Sequence, residues 1–174
     1  MDGDIKTKNT EAALDKFGKY LVKEARKNLT RKKKNNTKAL YNSLDYEVNV
    51  MPNSLTFDFL MEEYGEWVDK GRKAGKMPPV KNKKGEGILK WVEHKRIQFR
   101  DNSGKFESYR TTAFIIAQSI KKRGIPATKF YTRPFNLGFA KLPSELTQAY
   151  ALDVEEFLDY TLNELNVTYK NGSK

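Results

Sequence analysis

The 174-residue chain carries 33 Lys and Arg against 22 Asp and Glu, a net charge of +11, with one histidine and no cysteine. That length builds a core without staples, the missing cysteines exclude disulfides and thiolate metal sites, and the charge favours polyanionic partners. No apolar run approaches a membrane span, the longest being Ala113–Ala117, and Met1–Lys6 has no apolar signal core, so a soluble chain made in the cytoplasm is expected.

A first helix is expected to start near Thr10, with Glu11 in its positive first turn. Leu14, Phe17, Leu21, Ala25 and Leu29 then recur at three- and four-residue steps, one apolar stripe. Residues 30–37 are polar and basic and read as a loop. A short helical turn follows through Leu40 and Leu44, and at Asp45 the period changes to two. Tyr46, Val48 and Val50 alternate with polar residues, as do Leu55, Phe57, Phe59 and Met61 beyond the Pro52-Asn53 turn. Two such runs across a short loop make a β-hairpin over 45–61.

Glu62 to Lys70 reads as a short helix stopped at Gly71 by a left-handed cap. Residues 73–87, broken by Gly75, Pro78, Pro79, Gly85 and Gly87, read as a second basic loop. Ile88, Trp91 and Val92 mark a helix over about 86–96, and Asp101–Gly104 a turn. Ala113, Ile116, Ala117 and Ile120 mark a buried helix ended by Gly124 and Pro126. Lys129 to Thr132, near 129–133, reads as a short strand. A last helix starts near Ser144, with Leu146, Tyr150, Val154, Phe157, Leu158 and Leu165 inward. The sum is a single α+β domain over 10–167, a small antiparallel sheet packed against several helices, between flexible ends at 1–9 and 168–174.

Charge is uneven along this plan. Lys and Arg crowd residues 16–38 and 70–100, whereas no basic residue stands between Lys141 and Lys170, where six carboxylates lie. Opposite signs on one chain suit head-to-tail packing, whose closed form is a ring. The plainer alternative is solvated helix faces that differ in sign.

Catalytic chemistry is poorly represented. His94 is alone and flanked by Glu93 and Lys95, which suits a surface position. No G-x-S-x-G elbow and no phosphate-cradling G-x-x-x-x-G-K-[ST] occurs. Glu62 and Glu63 with Asp69 could hold a magnesium ion only if adjacent carboxylates on a helix converged, and they diverge. No cofactor is implied and no enzyme is expected. Nucleic-acid binding is the rival reading: Phe99-Arg100, Lys105-Phe106 and Tyr109-Arg110 interleave cations with rings that could stack on bases or anchor a loop.

One ordered set of short segments adds a resemblance. Tyr64-Gly65-Glu66-Trp67-Val68-Asp69-Lys70-Gly71, Pro78-Pro79 before Trp91-Val92, Lys122-Arg123-Gly124-Ile125 and Pro134-Phe135 follow one another, with Ala39–Leu44 upstream. In order and spacing they resemble the small neck or tail-completion proteins of long-tailed bacteriophages, which include head–tail joining and tail-terminator proteins. The resemblance implies an N-terminal helix, a small sheet and further packed helices. It also implies a structural virion protein in the neck or at the tail top, a ring joining portal or connector to tail proteins and letting double-stranded DNA pass. The long basic segments are not a family trait, and Arg31, Lys32, Lys33, Lys34, Arg72, Lys73, Lys81, Lys83 and Lys84 are the expected assembly or DNA-facing residues. Trp67, Trp91 and Phe135 are assigned to the core.

Overall fold

The computed structural model describes residues 7–35, 37–51, 54–81 and 87–171. Their contacts gather into two compact units, one made of residues 1–69 and 129–174, the other of residues 70–128 inserted between them. The fold is α+β, with seven helices and one antiparallel two-stranded hairpin among the described residues.

The first unit is organised by α1 (Lys8–Arg31), whose five stripe residues are all buried as the periodicity requires. After α2 (Ala39–Ser43), β1 (Asp45–Met51) pairs with β2 (Ser54–Leu60), Tyr46 opposite Phe59 and Val48 opposite Phe57. These inward side chains lie on α1. Phe17 meets Phe57 edge-on at 5.1 Å, and Tyr46 stacks on Phe57 at 6.0 Å. The hairpin turn itself falls outside the described residues.

Arg26 pins α2 beneath α1 by donating to the carbonyls of Tyr41 at 3.1 Å and Leu44 at 3.0 Å, with its guanidinium over the Tyr41 ring. The short α3 (Gly65–Lys70) follows the hairpin and ends at Gly71, whose φ of +72° bears out the left-handed cap.

The strand expected near 129–133 does not form. Phe130 is fully buried in the core, its carbonyl held by Asn28 Nδ2 at 3.0 Å, and α6 (Thr132–Phe139) starts two residues later. Pro134 sits in the first turn of α6, where its missing amide hydrogen costs nothing. The final helix, α7 (Leu142–Asn171), runs antiparallel to α1: Leu142 packs with Leu14 and Phe17, while Asp153 meets Thr10. Leu146, Val154 and Phe157 are half-buried, but Tyr150, Leu158 and Leu165, assigned inward from spacing, are exposed. Of the termini read as flexible, Lys8 and Asn9 belong to α1 and residues 168–171 to α7; the remainder, Thr7 apart, falls outside the described residues.

In the second unit α4 (Ile88–Lys95) packs on α5 (Tyr109–Arg123), burying Val92, Thr112, Ala113 and Ala117. Small side chains on α5 let the helices approach. Ser108 caps α5 by accepting from the Thr111 amide at 3.0 Å. Between the helices Arg100 bridges to Phe106 across a turn in which Asp101 Oδ1 accepts from Ser103 and Lys105, and Arg100 covers the Phe106 ring at 3.9 Å.

Gly18 lies where α1 crosses the sheet, and a Cβ there would stand 2.3 Å from the Tyr46 ring. Alanine normally favours a helix interior over glycine by about 1 kcal/mol. Here Gly18→Ala is expected to destabilise by about 1–2 kcal/mol in urea unfolding, because overpacking outweighs propensity. In a Tyr46→Ala background the same change should stabilise; a loss in both backgrounds would contradict the assigned contact.

Candidate assembly surfaces

The residues singled out as basic contacts separate between the two units. Arg31 ends α1 and donates to Asn28 Oδ1 at 2.9 Å, and Lys32–Lys34 form the helix's closing turn, with the Lys34 amide on the Leu29 carbonyl. Arg72, Lys73 and Lys81 belong to the second unit, while Lys83 and Lys84 lie outside the described residues. Arg72 pairs with Ile125 through two backbone hydrogen bonds of 2.8 Å, and the Gly75 amide donates to the Lys121 carbonyl at 2.8 Å. The fold thereby sets Arg72 and Lys73 beside the end of α5.

Two surfaces of the first unit have complementary character. One is an open groove of about 780 Å³ over α1, floored by Val22, Tyr41 and Tyr46 and rimmed by Lys19, Lys23, Lys27 and Arg31. Lys19 and Lys27 pair with Asp15 and Glu24 on their own helix, exposed pairs that contribute little to stability. Tyr46 donates to Asp15 at 2.5 Å. That hydrogen bond, with burial, raises the Tyr46 phenol to about 12, so the groove floor stays neutral at physiological pH.

The other surface is the far part of α7. Contact with α1 ends at its first turn, where Asp153 meets Asn9 and Thr10 and Glu156 accepts from Asn9 Nδ2 at 3.2 Å, yet α7 continues to Asn171, roughly 23 Å further at 1.5 Å per residue. On that stretch Leu158, Leu162 and Leu165 are exposed at i, i+4 and i+7, one apolar stripe, between Glu155, Glu156, Asp159 and Glu164. Sequence periodicity marked Leu158 and Leu165 of this stripe, without Leu162, and assigned them to the core, where they do not lie.

Trp67 also leaves the core: it is 73% exposed, with Tyr64 beside it on the same surface at 44%. The half-turn before α3 buries Gly65 against Met61 and Leu40, and this turns Trp67 outward. Trp91 is exposed next to fully buried Val92, and only Phe135 among the three packs into the core as assigned. Phe99 and Phe106 are exposed, the latter beneath Arg100.

Comparison with protein-family models, curated proteins and solved structures found no match. The local chemistry must therefore speak for itself.

The capping roles of two buried aspartates are what sequence inspection missed. Asp69, 1% exposed, accepts from the amides of Tyr131 at 3.0 Å and Thr132 at 3.3 Å and from the Thr132 hydroxyl at 2.5 Å. It caps α6, so its oxygens are spoken for rather than offered with Glu62 and Glu63 to a magnesium ion. Asp153, also 1% exposed, accepts from the Asn9 amide at 2.8 Å, the Thr10 amide at 2.9 Å and the Thr10 hydroxyl at 2.6 Å. Thr7 makes no side-chain cap to α1, and Asp153 supplies one from another helix. Thr10, read as the cap, is instead a buried donor. No local pattern reveals such caps, because the partners lie more than 60 residues apart.

Asp69→Ala should cost about 2–4 kcal/mol in chemical denaturation, since buried amides lose their acceptor. A cost below about 0.5 kcal/mol would contradict the cap. For Asp153, burial raises the pKa, but the hydrogen bonds from Thr10 and Asn9 more than offset it and leave it below the ordinary 3.8. Its stabilisation is complete above that value and is lost as pH falls through the lowered folded-state pKa. Asp153→Asn is expected to be less stable at pH 7 by about 1–2 kcal/mol, the gap narrowing as pH falls below the ordinary carboxylate value of 3.8; a gap independent of pH would contradict the ionised cap.

Proposed function

We propose that this chain is a structural virion protein of a tailed phage, a ring subunit in the neck or at the top of the tail that joins head to tail and lets DNA pass. No bond is made or broken in this role. The resemblance of the ordered segments from Ala39 to Phe135 supports the class. One observation supports the assembly mode: the far part of α7 and the groove over α1 are distinct patches on one unit with matching chemistry.

An amphipathic helix laid into an apolar groove is a recurrent recognition mode. Here Leu158, Leu162 and Leu165 would meet Val22, Tyr41 and Tyr46 of a second copy, and the flanking carboxylates would meet Lys19, Lys23, Lys27 and Arg31. Because the two patches differ, the contact is heterologous, and each bound copy still offers a groove and a helix. Such a chain closes into a ring when the rotation permits. Trp67, exposed on α3, is a natural aromatic anchor for the same neighbour or for the portal and tail proteins.

The test uses two variants of the full chain, one with Lys23→Glu and Lys27→Glu, the other with Leu158→Ser and Leu162→Ser. Light scattering after gel filtration should show wild-type oligomers and two monomeric variants. Mixed, the variants should form a one-to-one heterodimer that cannot extend, because one intact helix and one intact groove remain. Wild-type chain that stays monomeric at about 1 mM, or variants that fail to combine, would overturn the assembly mode.

A further inference from the structure

The net charge is not shared between the two units. Residues 70–128 hold sixteen Lys and Arg against four Asp and Glu, a net +12, which leaves −1 on all the rest of the chain. We infer that the second unit is a binding site for the phosphate backbone of duplex DNA, centred where the strap 72–76 crosses the end of α5.

That crossing gathers Arg72, Lys73 and Lys76 from the strap with Lys121, Lys122 and Arg123 from the last turn of α5. The contact is backbone on backbone. Arg72 and Ile125 exchange two hydrogen bonds, and Gly75 donates to Lys121. Glycine is required on both sides: a Cβ on Gly124 would stand 2.2 Å from the Arg72 carbonyl oxygen, and one on Gly71 would stand 2.4 Å from that of Ile125. Both also have positive φ, +73° and +72°. No side chain separates the two segments, so their cations are held within a short span. Arg72 is further fixed by donation to the Lys76 carbonyl at 2.8 Å, and Arg123 by donation to Ser119 at 2.7 Å.

The three cations on α5 have a local justification, since positive charge suits a helix C-terminus. The strap cations do not share it: they lie on no helix, and bringing them to the same place adds like-charge repulsion that opposes folding. A fold that keeps such repulsion is suited to a polyanion. Among polyanions a duplex fits better than an acidic protein face. Among the described residues of the strap 72–76 and of 121–125, Ile125 is the one exposed large apolar side chain, so the crossing itself lacks the apolar centre on which protein interfaces depend. Duplex DNA is contacted mainly through phosphates, without sequence information. This inference does not depend on ring assembly.

The experiment measures anisotropy of a labelled 30-base-pair duplex with the full chain at about 50 and 200 mM salt. Six phosphate contacts should lower the affinity about 10³-fold across that range. A variant with Lys73, Lys76, Lys121 and Lys122 changed to Gln spares the two hydrogen-bonded arginines, and its affinity should fall only roughly tenfold over the same range. Changing Lys16, Lys19, Lys23 and Lys27 to Gln instead should leave the salt slope as in wild type. Equal slopes for the two quadruple variants would overturn the site. So would displacement of the duplex by polyglutamate at equal charge concentration, which would mark an acidic protein as the partner. The Leu158→Ser and Leu162→Ser variant separates the two readings: a monomer that keeps the wild-type salt slope leaves the site standing without the ring.

Discussion

The joining of the two passages of chain that build the first unit depends on Asp69. It ends the first passage of the chain through that unit, and the second passage opens at Lys129, whose amide bonds the Asp69 carbonyl at 3.0 Å. Its carboxylate holds the first amides of α6, and α6 leads directly to α7, the helix that covers α1. One buried side chain thus rejoins a core interrupted by a whole inserted unit. A carboxylate suits this position because a helix N-terminus presents unpaired donors and partial positive charge. Asp153 repeats the solution at the other end, capping α1 from α7. Among the described residues no buried side-chain polar atom is left without a partner, which is the condition under which buried carboxylates are tolerated.

With the unit closed in this way, its surface divides by chemistry. Arg26 is spent inside, fastening α2, while Lys19, Lys23 and Lys27 on the same helix rim an apolar floor. The carboxylates of α7 that do touch α1 meet other partners, Asp153 and Glu156 its first turn and Glu145 the Lys16 ammonium at 3.5 Å, and among the described residues none pairs with Lys19, Lys23, Lys27 or Arg31 on the rim. The proposed ring would bring these two patches of neighbouring copies together. The second unit is different in kind, since its charge has one sign and no counterpart of comparable size elsewhere on the chain. The proposed assembly surfaces and the proposed polyanion site therefore fall on separate parts of the chain.

Much of the fold was legible wherever one periodicity answered to one neighbour. The α1 stripe is buried as its spacing marked, and on α5 Ala113 and Ala117 are buried with Ile116 and Ile120 half-buried; in the hairpin Tyr46, Val48, Phe57, Phe59 and Met61 are half-buried, while Leu55, marked inward, is exposed. Legibility failed where two outcomes share a pattern. Leu158 and Leu165 recur at helical spacing as a core face would, but the helix they lie on outruns its partner. Trp67 lies among residues that pack, yet the buried Gly65 directs it outward. Lys129–Thr132 alternates like a strand, and a capped helix start competes successfully because Asp69 is there to receive its amides. Of the candidate cations, Arg72 and Lys73 were recognised by their density in the loop. Lys121–Arg123 were passed over because α5 explains them locally.

By itself the sequence determined the α+β class, the principal helices, the presence of the hairpin and the uneven spread of charge, because each depends on residues close together in the chain. Tertiary structure alone decided which apolar stripe stays uncovered, which aspartates cap which helices, and which cations share a surface. These depend on where elements end in space relative to distant partners. Glycines at 71 and 124 show the difference most plainly. In sequence they are helix stops, but in the fold they admit the backbone contact that concentrates charge.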